Sequence, residues 1–568
     1  MWRFLIDYRA LAIETVAIAT LLAVFFLTQR HTSQRLRAAK NALGRIGRRQ
    51  TLSIALVGLL AFGASASLSL FGHVREPRVH DEFSYLLAGD TFARGRLTNP
   101  THPLWVHFES IHIIQQPTYA SKYPPAQGLV LAAGQVIGGH PIVGVWISTG
   151  LASAAVCWML FAWVPPRWAI LGSLLVALHP GILLSWGQTY WGGHMAMTGG
   201  ALVFGAMRRI AHRPRACASV LLGAGLAILA NSRPYEGLVV SLPVAVVGIA
   251  WLLGKNGPPF RVSLKRIVLP TAVILMLTGF AMGYYNLRVT GDLLKMPYLV
   301  HEAAYGMAPF FLWQQPRPEP VYRHEIIRNH HVRALAHYTK QQSAAGLKEE
   351  TVQKAKDLWN FSQGAHGSRL VLTLPLFMLP WVLRNRWHRF ALAACGVLLV
   401  GMAVETWVMP HYAAPVVGLA IALLIQAMRQ LQLWDWACVP MGRFLIWSFW
   451  VIAMAFFIVA FAQRMSDQPT NWGIERARLL AQLQNDGRRH LVIVRYGTLD
   501  IPYERGYREW VYNEADIDGA KVVWAREMDP AQNRKLLEYF KDRKVWLVEV
   551  DQYDSPPKLS PYPVLMDR

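Results

Sequence analysis

The chain has 568 residues, 53% of them hydrophobic and 16% charged, with 22 tryptophans, which excludes a soluble protein of ordinary composition. Its formal charge of +23 does not point to nucleic acid. Residues 464–568 carry 17 basic and 17 acidic side chains, so the excess sits in the apolar part, where it meets anionic headgroups of the inner leaflet.

A run of about 20 apolar residues crosses a bilayer. Such runs are predicted near 10–28, 51–72, 141–163, 168–186, 192–207, 216–231, 238–254, 267–287, 369–383, 389–408, 413–428 and 441–462. The opening stretch lacks a basic n-region of the usual form and a small-residue cleavage site, and a strongly basic loop follows it, so it reads as a retained helix with its N-terminus outside. Residues 29–50 hold seven Lys/Arg and no acid, Arg208–Arg215 four Arg, 255–266 four basic residues and Arg384–Arg389 three Arg. By the positive-inside rule these loops face the cytoplasm, and the alternate segments and both termini face outward. The expected fold class is an α-helical polytopic membrane protein of about twelve transmembrane helices. It divides into an N-terminal helix and basic loop over 1–50, a core over 51–463 with long outer loops at about 73–140 and 288–368, and an outer C-terminal α/β domain over 464–568. Cys157, Cys217, Cys395 and Cys438 lie in spans or at their cytoplasmic ends, which indicates neither a disulfide framework nor a Cys-based metal site.

The first outer loop opens with His80-Asp81-Glu82-Phe83-Ser84-Tyr85, directly after a span. Asp81 and Glu82 suit a base at the membrane surface, and equally the N-terminus of a helix, where the backbone dipole favours acids. Farther on, Ser121-Lys122-Tyr123-Pro124-Pro125 offers a cation on a stiffened chain, either a phosphate ligand or a snorkelling lysine. The apolar stretch 126–138 is too short to span and fits an interfacial helix. Arg233, in Asn231-Ser232-Arg233-Pro234-Tyr235-Glu236, lies at an outer span end where arginine is disfavoured. An anionic ligand, or pairing with Glu236 or Glu405, supplies the reason. His194 and His411-Tyr412 also fall at outer ends. A divalent metal ion held by His194 with Asp81 is chemically allowed, although no tight ligand spacing supports it. In the tail, 491–496 and 544–550 read as buried strands, with a helix from Asp529-Pro530 to about Lys541 between them.

Taken together, these residues resemble the GT-C superfamily of membrane glycosyltransferases, on the branch of protein O-mannosyltransferases and lipid A aminoarabinose transferases. Asp81-Glu82-Phe83-Ser84-Tyr85 matches the D-E-x-x-Y of its first outer loop, and Lys122-Tyr123-Pro124-Pro125 its juxtamembrane Lys and Pro-Pro element. His411-Tyr412 with Pro415 echoes a later Arg-Tyr and Pro. The likeness covers roughly 51–430, so the helix near 10–28 is an addition to the usual core. His194 stands where many relatives carry a second acid, and His411 where an Arg is usual. The resemblance implies an enzyme that moves a sugar from a polyprenyl-phosphate donor to a lipid, glycan or protein acceptor, with inversion, at the outer face of a bacterial inner membrane. It implies Asp81 as general base and Glu82 orienting Asp81 or the acceptor. Lys122, Arg233 and His411 would stabilise the leaving phosphate, and Tyr85, Tyr123, Tyr235 and Tyr412 complete the substrate-binding set. The competing class is a transporter, or a glycolipid-binding membrane protein without turnover, that uses the same residues. Transporters place such charges near the midplane rather than at one surface.

Overall fold

A computed structural model describes residues 20, 41, 44–255, 257–362, 373–435, 440–466, 472–497, 508–550 and 557–563. The predicted span near 10–28 and most of the basic loop 29–50 lie outside them.

From the N-terminal side the helices are α1 (Gln50–Ser67), α2 (His80–Ala93), α3 (Pro125–Gly138), α4 (Ile142–Trp163), α5 (Pro166–Ala177) and α6 (Gly193–His212). Next come α7 (Ala216–Ser232), α8 (Pro234–Leu253), α9 (Leu269–Thr290), α10 (Pro297–Tyr305), α11 (Glu325–Lys340) and α12 (Ala344–Ser362). The series ends with α13 (Arg386–Ala403), α14 (Val417–Leu431), α15 (Met441–Ser466), α16 (Trp472–Asn485) and α17 (Pro530–Tyr539). Proline opens α3, α5, α8, α10 and α17, where its fixed φ suits the first turn and its missing N–H costs nothing.

Among the described residues six helices are long and apolar enough to cross a membrane. A seventh follows if α5 and the short helical segment Gly181–Gln188, bent by 42°, are one span. Large apolar side chains such as Leu59, Leu253 and Phe280 point outward from these helices. Only a hydrocarbon surround accounts for such a surface, so the protein is an integral, multi-pass membrane protein. The run predicted at 369–383 behaves differently. Its described part is two short turns, Leu374–Met378 and Leu379–Val382, each with a proline in its first turn. Proline cannot continue a preceding helix.

The membrane core centres on α4, α5, α6, α13 and α14, with Val156, Leu160, Val203, Phe204, Leu398 and Leu419 fully buried. Small residues allow the close approaches. A Cβ on Gly200 would lie 1.9 Å from the Pro415 carbonyl oxygen, so glycine lets the tight turn Pro410–Val416 settle on α6. That turn carries His411 and Tyr412.

On one side of this bundle, α2 and α3 pack with three short strands, β1 (Asn99–Pro100), β2 (Ile113–Ile114) and β3 (Thr118–Ser121), ordered β1-β3-β2 and antiparallel. After α16, β4 (His490–Tyr496), β5 (Val522–Arg526), β6 (Lys544–Val550) and β7 (Lys558–Pro561) form a sheet ordered β5-β4-β6-β7. Its first three strands are parallel and β7 is antiparallel to β6. Asp529 caps α17 by accepting from the Gln532 N–H at 3.0 Å. The sheet unit docks on α2 and the loop that follows it. Phe83 stacks on Tyr512 at 4.2 Å between centroids, and Arg526 Nε donates to the Glu109 carbonyl at 2.8 Å.

The Arg526 guanidinium also meets the Glu509 carboxylate, both side chains fully buried. Breaking a buried pair from one side strands a charge, at a cost of about 3–5 kcal/mol. Arg526→Met is therefore expected to lower the melting temperature of the purified protein clearly. Arg526→Met combined with Glu509→Gln should recover much of that loss, as a thermal-shift measurement will show.

Candidate functional site

Asp81 and Glu82 occupy the first turn of α2, after Val79 in extended conformation. Residues four apart share a helix face, and Asp81 and Tyr85 both line one cavity of about 370 Å³. Glu82, about 100° round the helix, turns away. Its two oxygens accept from the backbone N–H groups of Arg78 (2.7 Å) and Tyr190 (3.1 Å), so it ties α2 to the segment leading into α6. Burial raises its pKa to about 7 against these hydrogen bonds.

Lys122 and Tyr123 follow β3 and precede the Pro124-Pro125 start of α3. The Tyr123 hydroxyl donates to Asp81 Oδ1, and His112 Nε2 lies 3.9 Å from Asp81 Oδ2. His112 has φ +66°, a left-handed backbone position rare for a non-glycine residue. The ammonium of Lys122, 4% exposed, stands 3.7 Å from Glu302 Oε1 and 4.8 Å from the centre of the Tyr298 ring. Burial lowers the lysine's pKa, while Glu302 and Asp81 act to raise it. The carboxyl of Glu302 is buried too, which by itself would raise its pKa. His301 and Lys122 outweigh that and hold it at about 2.

The opposite wall comes from membrane helix ends. Arg233, between α7 and α8, places its guanidinium 4.2 Å from the centre of the Tyr412 ring and 3.8 Å from Glu236 Oε1. His411 tilts against Trp191 at 5.0 Å. Asp81, Tyr85, Lys122, Tyr123, Arg233, His411 and Tyr412 thus line one cavity, though they come from sequence positions more than 300 residues apart. Three of the candidates do not. Besides Glu82, Tyr235 donates its hydroxyl to the Gly401 carbonyl at 3.0 Å and packs on Phe311. His194 is buried beside Trp186, with Nδ1 3.4 Å from the Thr149 hydroxyl. A metal site pairing His194 with Asp81 is therefore not assembled. Among the described residues no group of three or more His, Cys, Asp or Glu is arranged to hold a metal ion.

The cavity also gathers residues that the sequence did not single out, namely Tyr298, Glu302, His112, His330, His331 and Trp407. Imidazoles form a connected wall, with ring centres 5.4 Å apart for His112–His330, 5.1 Å for His330–His331 and 6.1 Å for His301–His331. Burial lowers the pKa of each, His301 to about 4 and His331 to about 3, so all four are neutral at pH 7. Chemically, the cavity offers a carboxylate to take a proton, cations at separate points to meet an anion (Lys122, Arg233 and Arg333), and aromatic faces.

These shifts set a pH dependence. A histidine with lowered native pKa leaves the unfolded chain holding more protons between about pH 4 and 6.5, so stability rises with pH there. Glu82, raised to about 7, acts in the opposite sense above pH 4.5. Four imidazoles oppose one carboxyl, and the melting temperature should climb from pH 4.5 to 6.5. Replacing His330 and His331 by Gln should flatten that slope.

No family model and no curated protein sequence matches the chain. Solved structures similar to it include ArnT from Cupriavidus metallidurans bound to undecaprenyl phosphate, at 13% identity over 88% of this chain and 92% of that one, with TM-score 0.47. Another is the oligosaccharyltransferase of Archaeoglobus fulgidus with zinc and sulfate, at 13% identity over 77% of this chain and 60% of that one, TM-score 0.46. A third is AglB of Archaeoglobus fulgidus with an inhibitory peptide and a dolichol-phosphate, at 12% identity over 87% and 69%, TM-score 0.40.

Proposed function

We propose that this protein transfers a sugar from a polyprenyl-phosphate donor to an acceptor at the outer membrane surface, with inversion at the anomeric carbon. The observation that carries the reading is the convergence of Asp81, Lys122, Arg233 and His411 on a single cavity beside the membrane helices. An acceptor hydroxyl or amine attacks the anomeric carbon, its proton passes to the Asp81 carboxylate, and the bond from that carbon to the phosphate oxygen breaks. The departing lipid phosphate needs charge stabilisation rather than a proton, which Lys122 and Arg233 supply, with the His411 side chain beside them as a hydrogen-bonding group. Glu82 and Tyr123 are positioning residues, one fixing the helix turn that presents Asp81 and the other its carboxylate. No step is routed through a metal ion.

The reading includes a twelve-span topology with the cavity facing the exterior of a bacterial inner membrane, and an outer C-terminal domain over 464–568. Such a site lets the donor's tail stay in the bilayer while the acceptor arrives from water. The test is sugar transfer by the purified protein from a panel of defined polyprenyl-phosphate sugars, with a parallel solute-flux measurement in liposomes. Transfer from one donor supports the proposal. Solute flux without donor binding would give the cavity to a transporter instead.

A further inference from the structure

A second pair of cavities lies at the opposite ends of the same helices. α6 and α8 begin beside the candidate site and run away from it, and near their far ends an apolar groove of about 500 Å³ opens between α6, α7, α8 and α13. Leu222, Leu226, Val244, Leu252 and Phe390 line it. Along α8 it reaches from Ser241 to Leu252, about 16 Å at 1.5 Å per residue. That is about half of the roughly 30 Å hydrocarbon core, the depth of one leaflet.

At Trp387 the groove meets a polar cavity of about 290 Å³ containing Arg208, Asn385, His388, Gln426 and Arg429. Two guanidiniums approach the indole of Trp387, Arg208 of the polar cavity at 4.5 Å and Arg386 of the groove at 6.0 Å from its ring centre. Neighbouring Arg209 is used up inside the fold, donating to the carbonyls of Gly205 and Trp158. Among the described residues no carboxylate pairs with Arg208 or Arg386. The segments that build both cavities, residues 142–235, 237–291, 371–404 and 406–434, contain no Asp or Glu. A basic pocket between membrane helices, continuous with an apolar groove one leaflet deep, has the shape and charge of a lipid.

We infer that the joined cavities hold an anionic phospholipid of the leaflet opposite the candidate site, its phosphate between Arg208 and Arg386 and one acyl chain in the groove. The test is native mass spectrometry of the full-length protein titrated with phosphatidylglycerol or with phosphatidylcholine of the same chains. Wild type should retain phosphatidylglycerol roughly 30-fold more tightly, on the scale of about 1 kcal/mol for each of the two arginines near an anionic headgroup. Arg208→Gln with Arg386→Gln should bring the two lipids level. Gly248→Phe keeps both arginines and fills the groove, where a Cβ meets nothing within 4 Å, and it should weaken both lipids together. Equal binding of the two lipids by wild type, or a preference that survives the double arginine variant, would overturn the assignment. So would displacement of the lipid by excess inorganic phosphate, since a free anion has no use for the groove.

Discussion

Asp81→Asn should reduce sugar transfer by roughly 10²–10⁴-fold, the usual worth of a positioned general base, while the melting temperature and donor binding stay at wild-type values. Asparagine keeps the shape of the side chain and an oxygen that can accept from Tyr123, so the contact that orients the residue survives. What disappears is the capacity to take the acceptor's proton. The carboxylate is 40% exposed to the cavity and contributes little to packing, which separates loss of chemistry from loss of fold. Asp81→Glu restores the base but moves it by one methylene, and should recover only part of the rate because a displacement of about 1 Å costs up to 10²-fold. Full transfer by Asp81→Asn would end the mechanism proposed for this cavity.

The cavity was half legible in the sequence, and the division has a physical pattern. Asp81, Lys122 and Arg233 were visible because each is a charge at a span end or beside a proline pair, where topology alone does not ask for one. Asp81 and Glu82 were singled out together, and helix geometry parts them: Tyr85 lies four residues after Asp81 and shares its face, while Glu82 turns to the backbone of Arg78 and Tyr190. His112, Glu302, His330 and His331 were hidden because their meeting depends on how two long loops fold over α2. No local pattern encodes that. The abundance of histidine in residues 288–368 was the available signal, and composition does not say which imidazoles touch. His194 and Tyr235 misled for the converse reason. Both sit at helix starts, in the first turns of α6 and α8, but rotation about the helix axis turns one toward Thr149 and the other toward Gly401. Hydropathy located most of the apolar helices well. In the described part of 369–383, Pro375 and Pro380 fall in the first turns of two adjoining short helical segments, a local detail that an apolar run, which counts composition and ignores the missing N–H groups, does not register.

Arg233→Gln should lower kcat/KM by roughly 10²–10³-fold, about 2.7–4 kcal/mol of lost charge stabilisation in the transition state. The guanidinium lies over the Tyr412 ring at 4.2 Å from its centre, and the Glu236 carboxylate is 3.8 Å away, too long for a bidentate pair. Its donors are therefore not exhausted by the fold, in a cavity that faces Lys122 from the other side. Arg233→Lys retains the charge but loses the planar fork and the stacking on Tyr412, so recovery should be small. The informative comparison is binding of a polyprenyl phosphate without sugar, which resembles the leaving group. Asp81→Asn should leave that affinity unchanged, whereas Arg233→Gln should weaken it in step with the fall in kcat/KM. If transfer falls and this affinity does not, Arg233 acts by holding Tyr412 rather than by meeting the phosphate. The anion-stabilising role would then rest with Lys122, whose replacement by Gln should show the coupled loss instead.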